Sequence, residues 1–244
     1  MKRRIPYLLA PLALGLFVLL MVRLHVPARV AALSQRAFRA TMGREAVSPK
    51  LDYLSPTELA MLNEINQART NPQQYAAMLE QVRQTAAGKQ IKVGQKTITL
   101  QEGVGALDEA IRFLHAAQPL PALNAAKGMT LGARDHVKDL GLSGNTGHKG
   151  SDGSLPEQRV GRYGEWQTAI GENIAYNSGD AREAVVGMLI DDGVPSRGHR
   201  KNIFSSEFRV AGVAVGPPSS YGLMCVVTYA GGYADKGVAT ASMY

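Results

Sequence analysis

The chain has 244 residues, a net charge of +7 and a single cysteine. Nine basic residues and one acidic residue lie within the first 50 positions, so residues 51–244 carry a net charge of −1. We therefore expect no nucleic-acid-binding surface, since such surfaces need clustered basic residues. The lone Cys225 excludes an intramolecular disulfide. Because it lies in an apolar run, we expect a small buried side chain and not a nucleophile.

The N-terminus has the pattern of an export signal. Lys2, Arg3 and Arg4 precede an uncharged apolar run over residues 5–22, which matches the basic and hydrophobic regions of such signals. The run has the minimum length for a membrane-spanning helix. Residues 1–30 are therefore predicted to be either a cleaved signal peptide or a retained transmembrane anchor. The basic cluster should stay in the cytoplasm, which leaves the rest of the chain extracytoplasmic, either secreted or anchored to the membrane.

Three further regions complete the predicted domain organisation. Residues 31–54, rich in Ala and Arg, are predicted to form a stalk. Residues 55–233 are predicted to form the folded domain, and residues 234–244 a C-terminal tail. No internal repeat is found.

Helix signals dominate the first half of the domain. A helix is predicted to begin at Pro56, because Ser55 and Glu58 have the spacing of a capping box. Helical periodicity predicts three more helices, which follow Pro72 and lie near residues 107–117 and 129–140. Between them, the alternating residues 91–100 predict a small hairpin.

Strand signals come late in the chain. Asp180 and Glu183 predict the start of a helix over residues 181–192. Two apolar runs follow, over residues 208–215 and 223–230, and the short loop between them predicts antiparallel neighbours. Helices in the first part of the domain followed by strands in the last part indicate an α+β fold and not a fold of alternating βαβ units.

Two histidines and three acids are the candidate functional residues. His148 and His199 both lie in glycine-flanked segments, where the backbone can bring a side chain into a cleft. Glu172 follows a glycine at a predicted loop-to-strand junction. Asp191 and Asp192 end a predicted helix, where the helix dipole disfavours negative charge. We therefore expect a cation or hydrogen-bond donor near these two acids.

The other three histidines are expected to have no role in a site. His25 lies beside the apolar N-terminal run, His115 is expected at the surface of a helix, and His136 lies on the helix near residues 129–140. A lone helical histidine is more often a hydrogen-bonded structural residue than a ligand.

Several motifs, taken in their order along the chain, resemble those of the bacterial branch of the CAP superfamily. The superfamily includes cysteine-rich secretory proteins, insect venom antigen 5 and plant pathogenesis-related proteins. Two motifs carry most of the resemblance, namely Gly171-Glu172-Asn173-Ile174-Ala175 and Arg197-Gly198-His199-Arg200-Lys201-Asn202-Ile203. The segment 62–76 is similar to the family's first helix, and residues 210–215 and 224–229 are similar to its last strands. The resemblance covers about residues 55–233.

This resemblance implies a three-layer α-β-α sandwich with a mostly antiparallel central sheet. It also implies a cleft formed by His148, Glu172, Asp192 and His199, with His148 and His199 as metal ligands. The family's fourth residue is usually a Glu three positions after a Trp. Here Leu189 and Asp192 lie at those positions, and Asp is one methylene shorter, so Asp191 is the alternative.

The resemblance leaves several functions open. We expect an exported binding module, of the SCP-like type, whose cleft holds a divalent metal such as zinc and no organic cofactor. Its ligand would be a lipid, glycan or protein of the cell envelope. The alternative is a metal-assisted hydrolase with Glu172 or Asp192 as base. A serine peptidase lacks support because no Gly-x-Ser-x-Gly motif occurs. The remaining alternative is a structural spacer protein whose cleft is vestigial.

Overall fold

The computed structural model describes residues 51–143, 145–219 and 222–237. The predicted export signal, residues 1–30, lies outside these ranges, as do nearly all of the predicted stalk and the end of the predicted tail. No helix within the described ranges is long and apolar enough to cross a membrane.

The first half of the described chain is helical, as predicted. Its elements are α1 (Pro56–Thr70), α2 (Pro72–Gln84), β1 (Gln90–Val93), β2 (Lys96–Thr99) and α3 (Val104–Ala116). The capping box is present: Ser55 Oγ accepts a hydrogen bond from Glu58 N at 3.2 Å, and Glu58 Oε2 accepts one from Ser55 N at 2.7 Å. These bonds satisfy two of the backbone N–H groups left unpaired at the start of the helix. The predicted hairpin is confirmed, with Lys92 opposite Thr97.

The second half contains the main sheet and the helices that flank it. Its elements are β3 (Asn124–Ala125), α4 (Lys127–Ser143), α5 (Pro156–Gly161), β4 (Gly164–Ser178), α6 (Ala181–Ile190), α7 (Gly198–Ile203), β5 (Val210–Ser219) and β6 (Gly222–Asp235). The elements β3, α5 and α7 were not predicted, β4 was anticipated only as a strand that begins near Glu172, and α6 ends two residues before its predicted end. Helix α6 begins as expected, because Asp180 Oδ1 accepts a hydrogen bond from Glu183 N at 2.8 Å.

The main sheet has the strand order β3-β5-β6-β4. Strand β3 is parallel to β5, whereas β5 pairs with β6 and β6 with β4 in antiparallel orientation. The prediction of a mostly antiparallel sheet is therefore confirmed. Strand β4 is an edge strand, so one side of its backbone faces away from the sheet.

Helices cover both faces of this sheet. Alternate residues of β6 point to opposite faces: Met224 and Val226 pack with α4, whereas Cys225 and Val227 join the larger core that includes α1, α2, α3 and α6. The result is the expected three-layer α-β-α arrangement. Cys225 is 1 % exposed, and burial raises the pKa of its thiol to about 12, so it has the environment of a packing residue.

Candidate functional site

Glu172 is buried in the middle of strand β4, and not at the junction between a loop and a strand that its sequence context suggested. Its Oε2 accepts a hydrogen bond from Arg159 Nη2 at 2.7 Å, and its Oε1 accepts one from His148 Nδ1 at 2.9 Å. Both oxygens of this carboxylate are therefore engaged, one by a buried cation and one by an imidazole.

His148 lies on a loop that three buried or half-buried side chains hold in place. Its own ring is 51 % exposed. Arg159 Nη1 donates to the carbonyl of His148 at 3.0 Å, and His136 Nε2 donates to the carbonyl of Gly147 at 2.8 Å. The N–H of Gly147 donates to the hydroxyl of Tyr176 at 2.9 Å. The loop is thus tied to α4, β4 and α5 on either side of an exposed histidine.

His199 is held by Asp191 at the start of α7. Its Nδ1 donates to Asp191 Oδ1 at 2.6 Å, and its backbone N–H donates to Asp191 Oδ2 at 2.8 Å. Asp191 is 3 % exposed and adopts a left-handed conformation with φ of 54° at the C-terminus of α6. That turn directs the carboxylate toward the following helix.

Asp192 makes different contacts from those expected for the fourth cleft residue. Its Oδ2 accepts a hydrogen bond from Gln101 N at 2.6 Å, and its Oδ1 accepts one from Glu102 N at 2.9 Å. It therefore ties the end of α6 to the loop before α3, while Asp191, the alternative, contacts His199. The cause is the left-handed residue at position 191, which places two adjacent side chains on different sides of the turn.

Two arginines supply the donors expected beside these acids. Arg200 donates to the carbonyls of Leu189 and Ile190, with Nη2 at 3.1 Å from the latter. Arg197 Nη1 donates to the carbonyl of Asp191 at 2.8 Å. Cations at these last carbonyls offset the negative end of the helix dipole, which supplies the favourable environment expected for the acids at this helix end.

The two histidine–acid pairs flank adjacent residues of the edge strand. Asn173, next to Glu172, donates from Nδ2 to the carbonyl of His199 at 3.0 Å. Asn202 donates in turn to the carbonyl of Glu172 at 3.3 Å and to Asn173 Oδ1 at 2.9 Å. The structure therefore holds the His148–Glu172 pair on the α4 and α5 side of β4 and the His199–Asp191 pair on the α6 and α7 side.

His136 and Arg159 belong to this region although sequence reasoning did not place them there. His136 is fully buried, and its Nε2 lies 4.0 Å from Glu172 Oε1. Burial lowers the pKa of its imidazole, an effect that the nearby Glu172 only partly opposes. Arg159 is 2 % exposed. A single helical histidine and a single arginine carry no signal in the sequence, because their burial depends on contacts between distant elements.

A groove of about 440 Å³ begins at His199 and Asp191. Strand β2 and strand β4 form its two sides, and α6 forms its floor. Ala184, Gly187 and Met188 of α6 line this floor; Gly187 is exposed, whereas Ala184 and Met188 are buried.

The protonation pattern leaves one nitrogen of each histidine available. Because Nδ1 of His148 and Nδ1 of His199 both donate to carboxylates, each neutral ring carries its lone pair on Nε2. A carboxylate bonded to Nδ1 is the usual support for a histidine that binds metal through Nε2. No group of three or more His, Cys, Asp or Glu residues arranged to hold a metal is found within residues 51–143, 145–219 and 222–237.

Several solved structures resemble this chain over part of its length. An extracellular protein containing an SCP domain from Bacillus anthracis is 25% identical, with 54% of this chain and 39% of that chain covered and a TM-score of 0.37. An outer surface protein from Borrelia burgdorferi is 17% identical, with coverage of 59% and 98% and a TM-score of 0.40. A cysteine-rich secretory protein from Staphylococcus aureus is 11% identical, with coverage of 58% and 45% and a TM-score of 0.35.

The chain thus spans 39% of the length of the Bacillus anthracis protein. Comparison with curated proteins gives no significant match. The model of the cysteine-rich secretory protein family, CAP, matches residues 62–229. Because this match extends over most of the sequence, the chain belongs to the cysteine-rich secretory protein family.

Proposed function

We propose that this chain is an extracytoplasmic binding module in which His148 and His199 hold a divalent metal ion, with zinc as the expected ion. The observation that carries the proposal is the shared arrangement of the two histidines: each donates from Nδ1 to a buried carboxylate and keeps Nε2 for a ligand. Neutral imidazole nitrogen is a preferred zinc donor.

Because the two pairs lie on opposite sides of the edge strand β4, a metal held by both imidazoles would lie beyond the open edge of that strand and would keep open coordination positions. Two imidazoles fill only part of a tetrahedral site, and the remaining positions would be open to water or to a ligand of the cell envelope. When bound, the metal would supply positive charge for a polar ligand group. Glu172 and Asp191 would act by holding the two rings in orientation.

The contacts of the acids favour binding over hydrolysis. A metal-assisted hydrolase needs a carboxylate free to take a proton from water. Glu172 is bonded to Arg159 and His148, and Asp192 accepts two backbone N–H bonds. Both candidate bases are therefore already engaged as hydrogen-bond acceptors, which supports the binding reading of the site.

Zinc titration of the full-length chain in mild detergent tests the metal site. We expect His148→Ala and His199→Ala each to remove most of the zinc affinity, while His115→Ala, at an exposed position paired with Glu80, changes it little. Zinc affinity should also fall on acidification, because protonated imidazole cannot bind metal. Unchanged affinity in the double variant His148→Ala/His199→Ala would place any metal elsewhere.

The location outside the cytoplasm rests on the basic and apolar N-terminal segment. Protease added to spheroplasts should digest the domain, because the cluster from Lys2 to Arg4 is expected to hold the N-terminus inside. Protection of the domain in intact spheroplasts, with digestion only after lysis, would contradict this orientation.

A further inference from the structure

We infer that the groove between β2 and β4 binds an extended, basic peptide segment, which lies between the two strands as an additional strand. This inference deepens the proposed binding function, because it names the class of ligand that the module would take. It depends on the shape, the edges and the charge of the groove and does not require the metal.

Both sides of the groove are strand edges. Four consecutive residues of β2, from Lys96 to Thr99, line it, as do the consecutive residues Ile174, Ala175 and Tyr176 of β4. Successive side chains of a strand point to opposite faces. From these runs of consecutive lining residues we infer that the edges of both strands face the groove.

These edges have their sheet partners on the other side. Strand β2 pairs with β1, and β4 pairs with β6, where Ile174 lies opposite Val226 and Ala175 opposite Cys225. An extended peptide between them would meet backbone N–H and C=O groups on both flanks, which is the usual way in which an edge strand captures a peptide. Residues 174–178, whose pairing with β6 is irregular between Ala175 and Ser178, span about 14 Å in four steps of about 3.4 Å, enough for a segment of about five residues.

The walls of the groove are held firmly. Ile91 and Val93 of the hairpin are 0 % and 1 % exposed and pack in the main core. Lys96 Nζ lies 3.8 Å from Glu183 Oε2 of helix α6. A preformed groove reduces the ordering cost of peptide binding, which then falls mainly on the peptide.

The charge of the groove selects the kind of peptide. Three carboxylates line it, those of Glu183, Asp191 and Asp192, against the single ammonium of Lys96. Acidic groups therefore outnumber lysine, and electrostatic complementarity favours a peptide with basic side chains over an acidic one. The small residues Ala184 and Gly187 of α6 leave room for small or branched apolar side chains at alternate positions of the peptide.

Gly187 allows a direct test. It lines the groove on α6, and a Cβ added there would meet no atom within 4 Å. Leucine at this position would add bulk to the lining of the groove at a point where its Cβ meets no neighbour, and it is a better helix former than glycine. Gly105 in α3 is a matched control, because it is also helical and open around an added Cβ but lies outside the groove lining.

The experiment measures binding of the capped hexapeptide acetyl-(Val-Lys)3-amide to the full-length chain in mild detergent by fluorescence anisotropy. We expect binding to the wild type and to Gly105→Leu, with affinity for Gly187→Leu lower by about tenfold or more because the bulk excludes the strand. The acidic analogue acetyl-(Val-Glu)3-amide and an analogue methylated at alternate backbone nitrogens should bind about tenfold more weakly or worse.

Three outcomes would overturn the inference. The first is absence of hexapeptide binding to the wild type up to millimolar concentration, and the second is equal affinity for Gly187→Leu and Gly105→Leu. The third is groove-dependent binding of an N-acetylglucosamine tetramer without peptide binding, which would identify a glycan groove. Repeating the peptide titration with a zinc chelator present separates this inference from the metal site, because the groove should bind the peptide without the metal.

Discussion

Arg159 Nη2 donates to Glu172 Oε2 at 2.7 Å, and both side chains are at most 2 % exposed. A charge pair removed from water in this way is costly to break from one side, because the remaining charge keeps its burial and loses its partner. Arg159 also donates to the carbonyls of His148 and Ser154. It therefore connects the strand that carries Glu172 with the loop that carries His148.

Replacement of Arg159 by methionine should lower the free energy of unfolding by about 3–5 kcal/mol, since Glu172 would remain buried without a cation. Urea denaturation measures this change. Arg162→Met is the control: Arg162 pairs with Asp135 and Asp152 but is 41 % exposed, so its loss should cost less than about 1 kcal/mol. Equal costs for the two substitutions would show that burial of the first pair has no energetic consequence.

Asp191 and Asp192 should differ in their effect on zinc binding. Asp191→Asn should weaken zinc affinity by about 10–100-fold, because the amide orients His199 less well than the carboxylate does. Asparagine tolerates the left-handed conformation at this position, so the turn itself should persist. Asp192→Asn should leave zinc affinity nearly unchanged, since Asp192 bonds to the loop before α3. The reverse order of effects would assign the cleft to Asp192.

The buried His136 should make stability depend on pH. Burial lowers the pKa of its imidazole in the folded state, so the unfolded chain takes up a proton first as the pH falls below about 6.5. The resulting contribution to stability is fully present above that pH and decreases as the pH falls toward the folded pKa.

His136→Gln removes this titration and keeps a donor for the carbonyl of Gly147. Unfolding free energies at about pH 7.5 and about pH 5 should therefore show a smaller loss on acidification for the variant than for the wild type. A loss of the same size in both proteins would assign the acid sensitivity to other groups.

Gly212 lies where helix α4 packs against the sheet with no room for a side chain. A methyl group at this position would overlap the backbone of Met129 and Thr130, which cannot rotate away as a side chain can. Gly212→Ala should therefore destabilise the protein by about 3 kcal/mol, at the upper end of the usual cost of overpacking. Gly105→Ala, where the added Cβ meets no neighbour, should be neutral or stabilising by up to about 1 kcal/mol. Thermal and urea unfolding of both variants check the contrast.

Local signals in the sequence predicted most of the fold. The capping residues Ser55 and Asp180 mark helix starts that the structure confirms. The alternation around Gly94 predicted the hairpin, and the apolar runs of β5 and β6 predicted antiparallel neighbours. Each of these depends on residues a few positions apart, whose preferences act within one helix or strand. The resemblance to the CAP superfamily additionally predicted the three-layer α-β-α arrangement of these helices and strands.

Which carboxylate forms a hydrogen bond with each histidine depends on contacts between residues that are far apart in the sequence. Asp191 and Asp192 are adjacent and chemically identical in the sequence, and only the left-handed turn after α6, closed by Arg197 and Arg200, directs one toward His199 and the other toward α3. The sequence alone therefore predicts the longer helices, the hairpin, the last two strands and the two glycine-flanked histidines. The tertiary structure decides the partners of those histidines, because burial and hydrogen bonding there join residues from separate helices, strands and loops.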